Sequence, residues 1–137
     1  MKTSCGVLLT DGKVLLLCHV TNHPQWDIPK GENNLGESEM MTALRECKEE
    51  TGLIVSSKYL KDLGMFDYLP NKNLHLFLCF IDNQYLPKIT GMNCSSTFTM
   101  YSKTYPEVDK YDYISYSELN KYASKKLYPV LCKALNL

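Results

Sequence analysis

The chain has 137 residues, the size of one compact unit built round a single core. Lys plus Arg and Asp plus Glu each number 15, and the zero net charge argues against a broad basic surface holding nucleic acid through its phosphates. Hydrophobic residues at 45% and charged residues at 22% are globular values, and no apolar run approaches the length of a membrane span.

"CGVLLTDGKVLLLCHV", residues 5–20, is two apolar β runs joined by Asp11-Gly12, a strong hairpin signal. Asp11, Gly12 and Lys13 also break the apolar pattern that a signal peptide would need. Residues 21–37 hold two prolines and several glycines and asparagines, and read as a long loop. From Ser38 to Thr51 there is no Gly or Pro, and good helix formers dominate. Ser38 is the expected N-cap and Gly52 the expected stop. "KYLKDLGMFDYLP" and "NLHLFLCFI" read as strands, the second apolar on both faces and therefore central.

Residues 82–106 read as irregular and polar. "YDYISYSEL" predicts a strand running into a helix capped by Ser117, and "KKLYPVLCKAL" a closing helix starting near Pro129. This order predicts a single α/β unit over residues 1–137, a mixed β-sheet covered by helices. Cysteines stand at 5, 18, 47, 79, 94 and 132 without a CxxC pair. They read as thiols packed among apolar neighbours in a reducing cytoplasm, with Cys18, His19 and His23 as packing rather than metal ligands.

The helix 38–51 carries the chemistry. Positions three and four apart share a face, so Glu46, Glu49 and Glu50 are expected together, opposite an apolar stripe of Met40, Leu44 and Cys47. Arg45, four residues before Glu49, can brace its carboxylate. Crowded carboxylates stay ionised together only if a cation compensates them, and oxygen donors favour Mg²⁺ or Mn²⁺ over zinc or copper. Without a metal, at least one acid should hold its proton to unusually high pH.

The spacing sharpens this. Gly31, five residues, Glu37, seven residues, Arg45-Glu46, Cys47, one residue, Glu49-Glu50, one residue, Gly52 and Leu53 match the signature of the Nudix hydrolases. The one soft departure is Cys47, where an aliphatic residue is usual. The chain therefore resembles that family, which implies an α/β/α sandwich and Mg²⁺- or Mn²⁺-dependent hydrolysis of a nucleoside diphosphate linked to another group. By the same resemblance Glu46 and Glu50 would be the main metal ligands, with Glu49 assisting and the Gly31 carbonyl completing the set. Arg45 would orient the acids, and Glu37 would steady the junction of loop and helix. Glu49 and Glu107 are the two candidates for the base that takes the proton from water.

"WDIPKG" (Trp26 to Gly31) is similar to the segment found in diadenosine tetraphosphate hydrolases. There Lys30 would meet a phosphate chain, and Trp26 packs under the loop. Tyr68, about sixteen residues beyond Gly52, and "EVDKYDYI" (Glu107 to Ile114) point to the same branch. Tyr68, Tyr105 and Tyr111 are the candidate aromatic contacts of a nucleotide. The implied substrate is a dinucleoside polyphosphate, with diadenosine tetraphosphate cut to ATP and AMP. An RNA 5′ end or a nucleoside triphosphate is the second reading, and a non-catalytic nucleotide sensor the reading from another class. His75 is read as a satisfied packing histidine. Oligomeric state is not legible.

Overall fold

The Asp11–Gly12 turn forms as its chemistry requires. Asp11 Oδ1 accepts hydrogen bonds from the backbone N–H groups of Lys13 (2.8 Å) and Val14 (2.9 Å), and Gly12 takes a φ of 92°. In the computed structural model, which describes residues 1–137, this turn joins β1 (Lys2–Thr10) to β2 (Val14–Val20). The expected hairpin does not continue: the strands pair at Thr10 and Leu15 and then part.

Gly6 explains the divergence. A Cβ there would stand 2.9 Å from the Pro29 carbonyl oxygen, so only glycine admits this approach. The Val7 N–H donates to Pro29 O at 3.2 Å, and β4 (Lys30–Glu32) lies antiparallel along β1, pairing Gly31 with Cys5 and Lys30 with Gly6. β2 turns instead to β9 (Val108–Ser115) and to β3 (Trp26–Asp27). The segment 21–37, expected as plain loop, therefore contains two short strands. They hold Lys30 and Gly31 at the split in the sheet.

β6 (Lys72–Phe80) runs parallel to β1 along its whole length, and β5 (Leu60–Leu69) is antiparallel to β6. β6 is thus an interior strand of a mixed sheet, as its two-faced apolarity predicts. Alternating side chains feed two cores. Leu8, Leu15, Leu17, Leu74 and Leu76 pack under α2 (Leu119–Tyr122) and α3 (Leu127–Leu135), through Leu119, Leu127, Val130 and Leu131. On the other face Cys5, Val7, Leu9, Leu16, Phe77 and Cys79 meet Ala43 and Cys47 of α1 (Glu39–Thr51). Each fully buried leucine contributes about 1.5–3 kcal/mol. The result is the helix-covered mixed sheet expected from the element order, and the α/β/α sandwich that the resemblance implies.

Both ends of α1 are closed as read. Ser38 Oγ accepts from the Met41 N–H at 3.2 Å, and Gly52, at φ 78°, returns its N–H to Lys48 O at 2.8 Å. Two other expectations are corrected. Residues 82–106 contain a hairpin, β7 (Thr97–Met100) and β8 (Lys103–Pro106). Ser117 does not cap a helix, because a 3₁₀ turn over Tyr116–Glu118 precedes α2. The closing helix α3 does start near Pro129, at Leu127, with Ser124 Oγ accepting from the Leu127 N–H at 3.1 Å; a proline in the first turn sacrifices no helical bond. All six cysteines are free, and no helix is long and apolar enough to cross a membrane.

Candidate active site

The buried stripe of α1 keeps Met40 and Cys47 of the expected apolar set but not Leu44. Thr42, Ala43, Cys47, Glu50 and Thr51 are buried, Met40 packs beside them, and Leu44 is only half-buried. Glu50 lies seven residues after Ala43, two helical turns, and so shares its inward face. Cys47 fills its slot as a fully buried thiol. The acids therefore divide: Glu50 is 8% exposed, whereas Glu49 faces outward on the next stripe.

Arg45 organises the outer group. Its Nε donates to Glu37 Oε2 at 2.8 Å and its Nη2 to Glu37 Oε1 at 3.0 Å, a two-pronged pair. Nη1 reaches Glu46 Oε1 at 2.8 Å and Glu49 Oε2 at 3.3 Å, while Nη2 also donates to the Glu32 carbonyl at 3.2 Å. Glu37 further accepts from Thr42 Oγ1 at 2.6 Å and from the Asn34 N–H at 3.3 Å. The Arg45 hydrogen bonds, followed by that from Thr42, hold the Glu37 carboxyl down to about 2. Glu37 thus ties the entering loop to the helix, and Arg45 restrains Glu46 and Glu49.

Gly31 provides the space for Glu46. A Cβ on Gly31 would collide with the Glu46 carboxylate, whose carboxyl is raised first by burial and then by the charges of Glu49 and Glu107. Gly31→Ala is accordingly expected to displace Glu46 while leaving β4 paired. Turnover should fall about 10²-fold, with the melting temperature within a few degrees of wild type, as activity assays and thermal melting would show.

Glu50 faces a cleft of about 330 Å³ that is also lined by Asp27, Lys30, Glu107, Thr21 and Phe98. Burial, then the charges of Glu46, Asp27 and Glu107, push the Glu50 carboxyl up to about 9, against the pull of Lys30. This is the acid expected to keep its proton to high pH. Lys30 is ion-paired to Asp27 at 3.0 Å and lies 5.9 Å from the centre of the Tyr68 ring. Burial works against its charge, but Asp27 and Tyr68 outweigh it and raise its pKa. A second hollow of about 200 Å³ adjoins the first, sharing Val20, His23 and Asp27 and lined further by Gln25, Trp26, Tyr68 and Ser124.

Of the predicted residues, Lys30, Glu50 and Glu107 line the first hollow and Tyr68 the second. Two of the aromatic candidates lie outside the lining of both hollows. Tyr111 is committed to structure: its hydroxyl donates to Glu50 O at 2.5 Å and its ring packs on the α1-side core. Tyr105 stacks on Phe98 within the β7–β8 hairpin, ring centres 5.6 Å apart, and does not line either hollow. Trp26 packs edge-on between His19 and Tyr122 and also walls the second hollow. His75 is half-satisfied: Nε2 meets Asp62 at 2.7 Å, and Nδ1 has no partner. Sequence reasoning missed Asp27, Thr21 and Phe98. Asp27, three residues before Lys30 on the loop side of Gly31, offered the one charge signal.

No three His, Cys, Asp or Glu side chains converge as a ready-made ligand set, since Arg45 draws Glu46 and Glu49 to itself. The donor chemistry still fits a hard dication. Glu50 is a buried carboxyl, raised first by burial and then by like charges, and engaged in no hydrogen bond, while Gly31 leaves room for the Glu46 carboxylate. Acids crowded beside a buried lysine at the mouth of an α/β fold suit a cation and an anionic group held together. More particularly, the chain belongs to the Nudix family, since the NUDIX domain matches residues 2–132, and it is a pyrophosphohydrolase of that family. It is 33% identical over 143 positions to an uncharacterized 17.7 kDa protein of Enterobacteria phage T4, covering 96% of this chain and 94% of that one. An uncharacterized Nudix hydrolase of Bacillus subtilis is 34% identical over 100 positions, 69% of this chain and 58% of the relative's length. Among solved structures, an Ap4A hydrolase binary complex from C. elegans superposes with a TM-score of 0.65 at 20% identity, over 97% of this chain and 94% of that one.

Proposed function

We propose that the protein hydrolyses a dinucleoside polyphosphate, of which diadenosine tetraphosphate, cut to ATP and AMP, is the first candidate. The observation that carries this reading is the paired hollow. Two recesses meet at His23 and Asp27, with Lys30 and Glu50 on the wall of one and Tyr68 and Trp26 on the other. A substrate with a nucleoside at each end and a charged chain between suits two adjoining recesses, one of which carries the acids and the lysine. The likeness in fold to an Ap4A hydrolase accords with this reading.

Glu46, Glu49 and Glu50, with the Gly31 carbonyl, would hold Mg²⁺ or Mn²⁺. When bound, the cation neutralises phosphate oxygens and makes water easier to deprotonate. Lys30 supplies the fixed positive charge that orients the phosphate chain, and its pairing with Asp27 keeps it from swinging into solvent. Arg45 holds Glu46 and Glu49 in place. Of the two candidate bases Glu107 is preferred, because it lines the cleft, whereas Glu49 points to Arg45 and does not. Its part is to take the proton from the attacking water.

Glu107→Gln is expected to lower kcat by about 10²-fold or more with KM changed less than threefold, whereas Glu49→Gln should lower kcat less. The substrate reading is tested by a panel with Mg²⁺: diadenosine tetraphosphate, ADP-ribose, nucleoside triphosphates and triphosphorylated RNA. A kcat/KM for diadenosine tetraphosphate at least tenfold above the others is the expected result, and a wide preference for ADP-ribose or RNA would overturn it.

A further inference from the structure

Two of the acids of α1 stand at the end of the helix that is hardest to hold. Glu49 and Glu50 lie in its last turn, where the final carbonyls have no partner within the helix and the dipole disfavours negative side chains. Such an end frays unless something beyond the helix satisfies it. Here each carbonyl from Lys48 to Thr51 is satisfied. The Gly52 N–H donates to Lys48 O at 2.8 Å. The other three are met from distant parts of the chain. Glu49 O accepts from the Ser95 N–H at 2.7 Å and from Ser95 Oγ at 3.2 Å, Glu50 O from the Tyr111 hydroxyl at 2.5 Å, and Thr51 O from the Asn93 N–H at 3.1 Å.

The same segment reaches the cleft. Ser96 O, one residue beyond Ser95, accepts from the Glu107 N–H at 3.0 Å, and Glu107 O accepts from the Thr21 N–H at 3.1 Å. One hydrogen-bonded run of chain therefore ties the end of α1 to the acid at residue 107 and to the cleft wall. A helix end held this way cannot rotate or unwind without also disturbing that acid.

We propose that Ser95 and Tyr111 are positioning residues, whose hydrogen bonds to the Glu49 and Glu50 carbonyls keep the last turn of α1 wound and hold both acids in register with Glu46 and Glu107. Neither side chain has to touch substrate or metal. The effect on metal binding rests on the role proposed above for the acids, whereas the winding of the helix end is measured without it.

β9 supplies a matched control. Tyr113, two residues after Tyr111 and on the same face of the strand, is also half-buried, and its hydroxyl donates to a backbone carbonyl at 2.5 Å. That carbonyl belongs to Pro87, outside α1. Tyr111→Phe and Tyr113→Phe thus each remove one hydroxyl bond to main chain, and both should lower the melting temperature by a similar few degrees. Only Tyr111→Phe should speed amide hydrogen exchange at Glu49 to Gly52, by about fivefold or more, while Ala43 to Arg45 stay as in the wild type. Mn²⁺ titrated into the substrate-free protein and followed by electron paramagnetic resonance should bind about tenfold more weakly to Tyr111→Phe, and within twofold of wild type to Tyr113→Phe. Adding Ser95→Ala to Tyr111→Phe should deepen both losses, by about threefold. If Tyr111→Phe matches Tyr113→Phe in exchange or in Mn²⁺ affinity, the hydroxyl is a structural bond like its neighbour and the proposal is overturned. A wild type that binds no Mn²⁺, with exchange still faster in Tyr111→Phe, would overturn the metal role of the acids and leave the clamp supported.

Discussion

Glu50→Gln is expected to reduce turnover about 10²–10³-fold and, at the same time, to stabilise the metal-free fold. The two effects have one cause. Glu50 is buried among Glu46, Asp27 and Glu107, and burial with those charges raises its carboxyl from 4.5 to about 9. In the unfolded chain the group gives up its proton near 4.5, while the folded protein retains it to about 9. Between those values the folded state carries the extra proton, so folding stability is highest below 4.5 and falls as pH rises towards 9. The metal-free wild type should therefore lose on the order of 3 kcal/mol between pH 5.5 and 8.5 relative to Glu50→Gln, whose amide does not titrate. For a chain of this size that is a melting-temperature gap widening by roughly 10 °C. Mg²⁺ should close the gap at pH 8.5 by binding the ionised wild type, and should do little at pH 5.5. Melting curves of both proteins at several pH values, with and without Mg²⁺, make the test. Curves that run parallel across pH would mean Glu50 is not the group under strain.

The sequence made the identity of the acid helix legible because a fixed spacing of charged residues and glycines is written along one short segment. Its caps were legible for a similar reason, since Ser38 and Gly52 act on their own neighbours. Met40 and Cys47 face the core as read; what could not be read was that Ala43 and Glu50 turn inward with them and Leu44 does not. Leu44 looks like a core residue by hydrophobicity, but the sheet selects Ala43 and Cys47, and the small side chains let α1 lie close to β1. Glu50 follows them inward. A seven-residue step from a small buried residue is a weaker signal than a leucine, and only the packed sheet decides between them.

The cleft walls were illegible for a different reason. β4 is three residues long and exists because Gly6, far away in sequence, leaves room for Pro29 and Lys30. The β7–β8 hairpin turns through Tyr101 and Ser102, at φ 51° and 65°, with no glycine or asparagine to announce it. Without that turn signal, Phe98 reads as one aromatic in a polar stretch and Tyr105 as a free candidate. Once the strands pair, Phe98 and Tyr105 face each other and only Phe98 reaches the cleft.

Arg45→Met is the second substitution with a large expected effect, and here stability and activity should fall together. Removing the guanidinium leaves Glu37, Glu46 and Glu49 converging on a half-buried point with no positive charge among them. It also strips a donor from the Glu32 carbonyl, where β4 ends. Loss of a partly buried ionic network of this kind is expected to cost about 2–3 kcal/mol, below the fully buried value because Arg45 is partly solvated. Turnover should drop about 10²-fold as Glu46 and Glu49 lose their restraint. Arg45→Lys keeps the charge but not the planar fork that grips both Glu37 oxygens, so it should recover part of the stability and less of the activity. The pH dependence fixes the origin of the loss. Glu37, held down to about 2 mainly by its hydrogen bonds from Arg45, contributes stability that is present above 4.5 and is lost as pH falls towards 2. The gap between wild type and Arg45→Met should therefore narrow from pH 7 to pH 3, as the orphaned acids protonate in the variant. Adding Glu37→Gln to Arg45→Met should restore at least 1 kcal/mol at pH 7, by removing one of the repelling charges. A gap that holds constant with pH, or a double variant no more stable than Arg45→Met, would show that Arg45 serves by packing and not by charge.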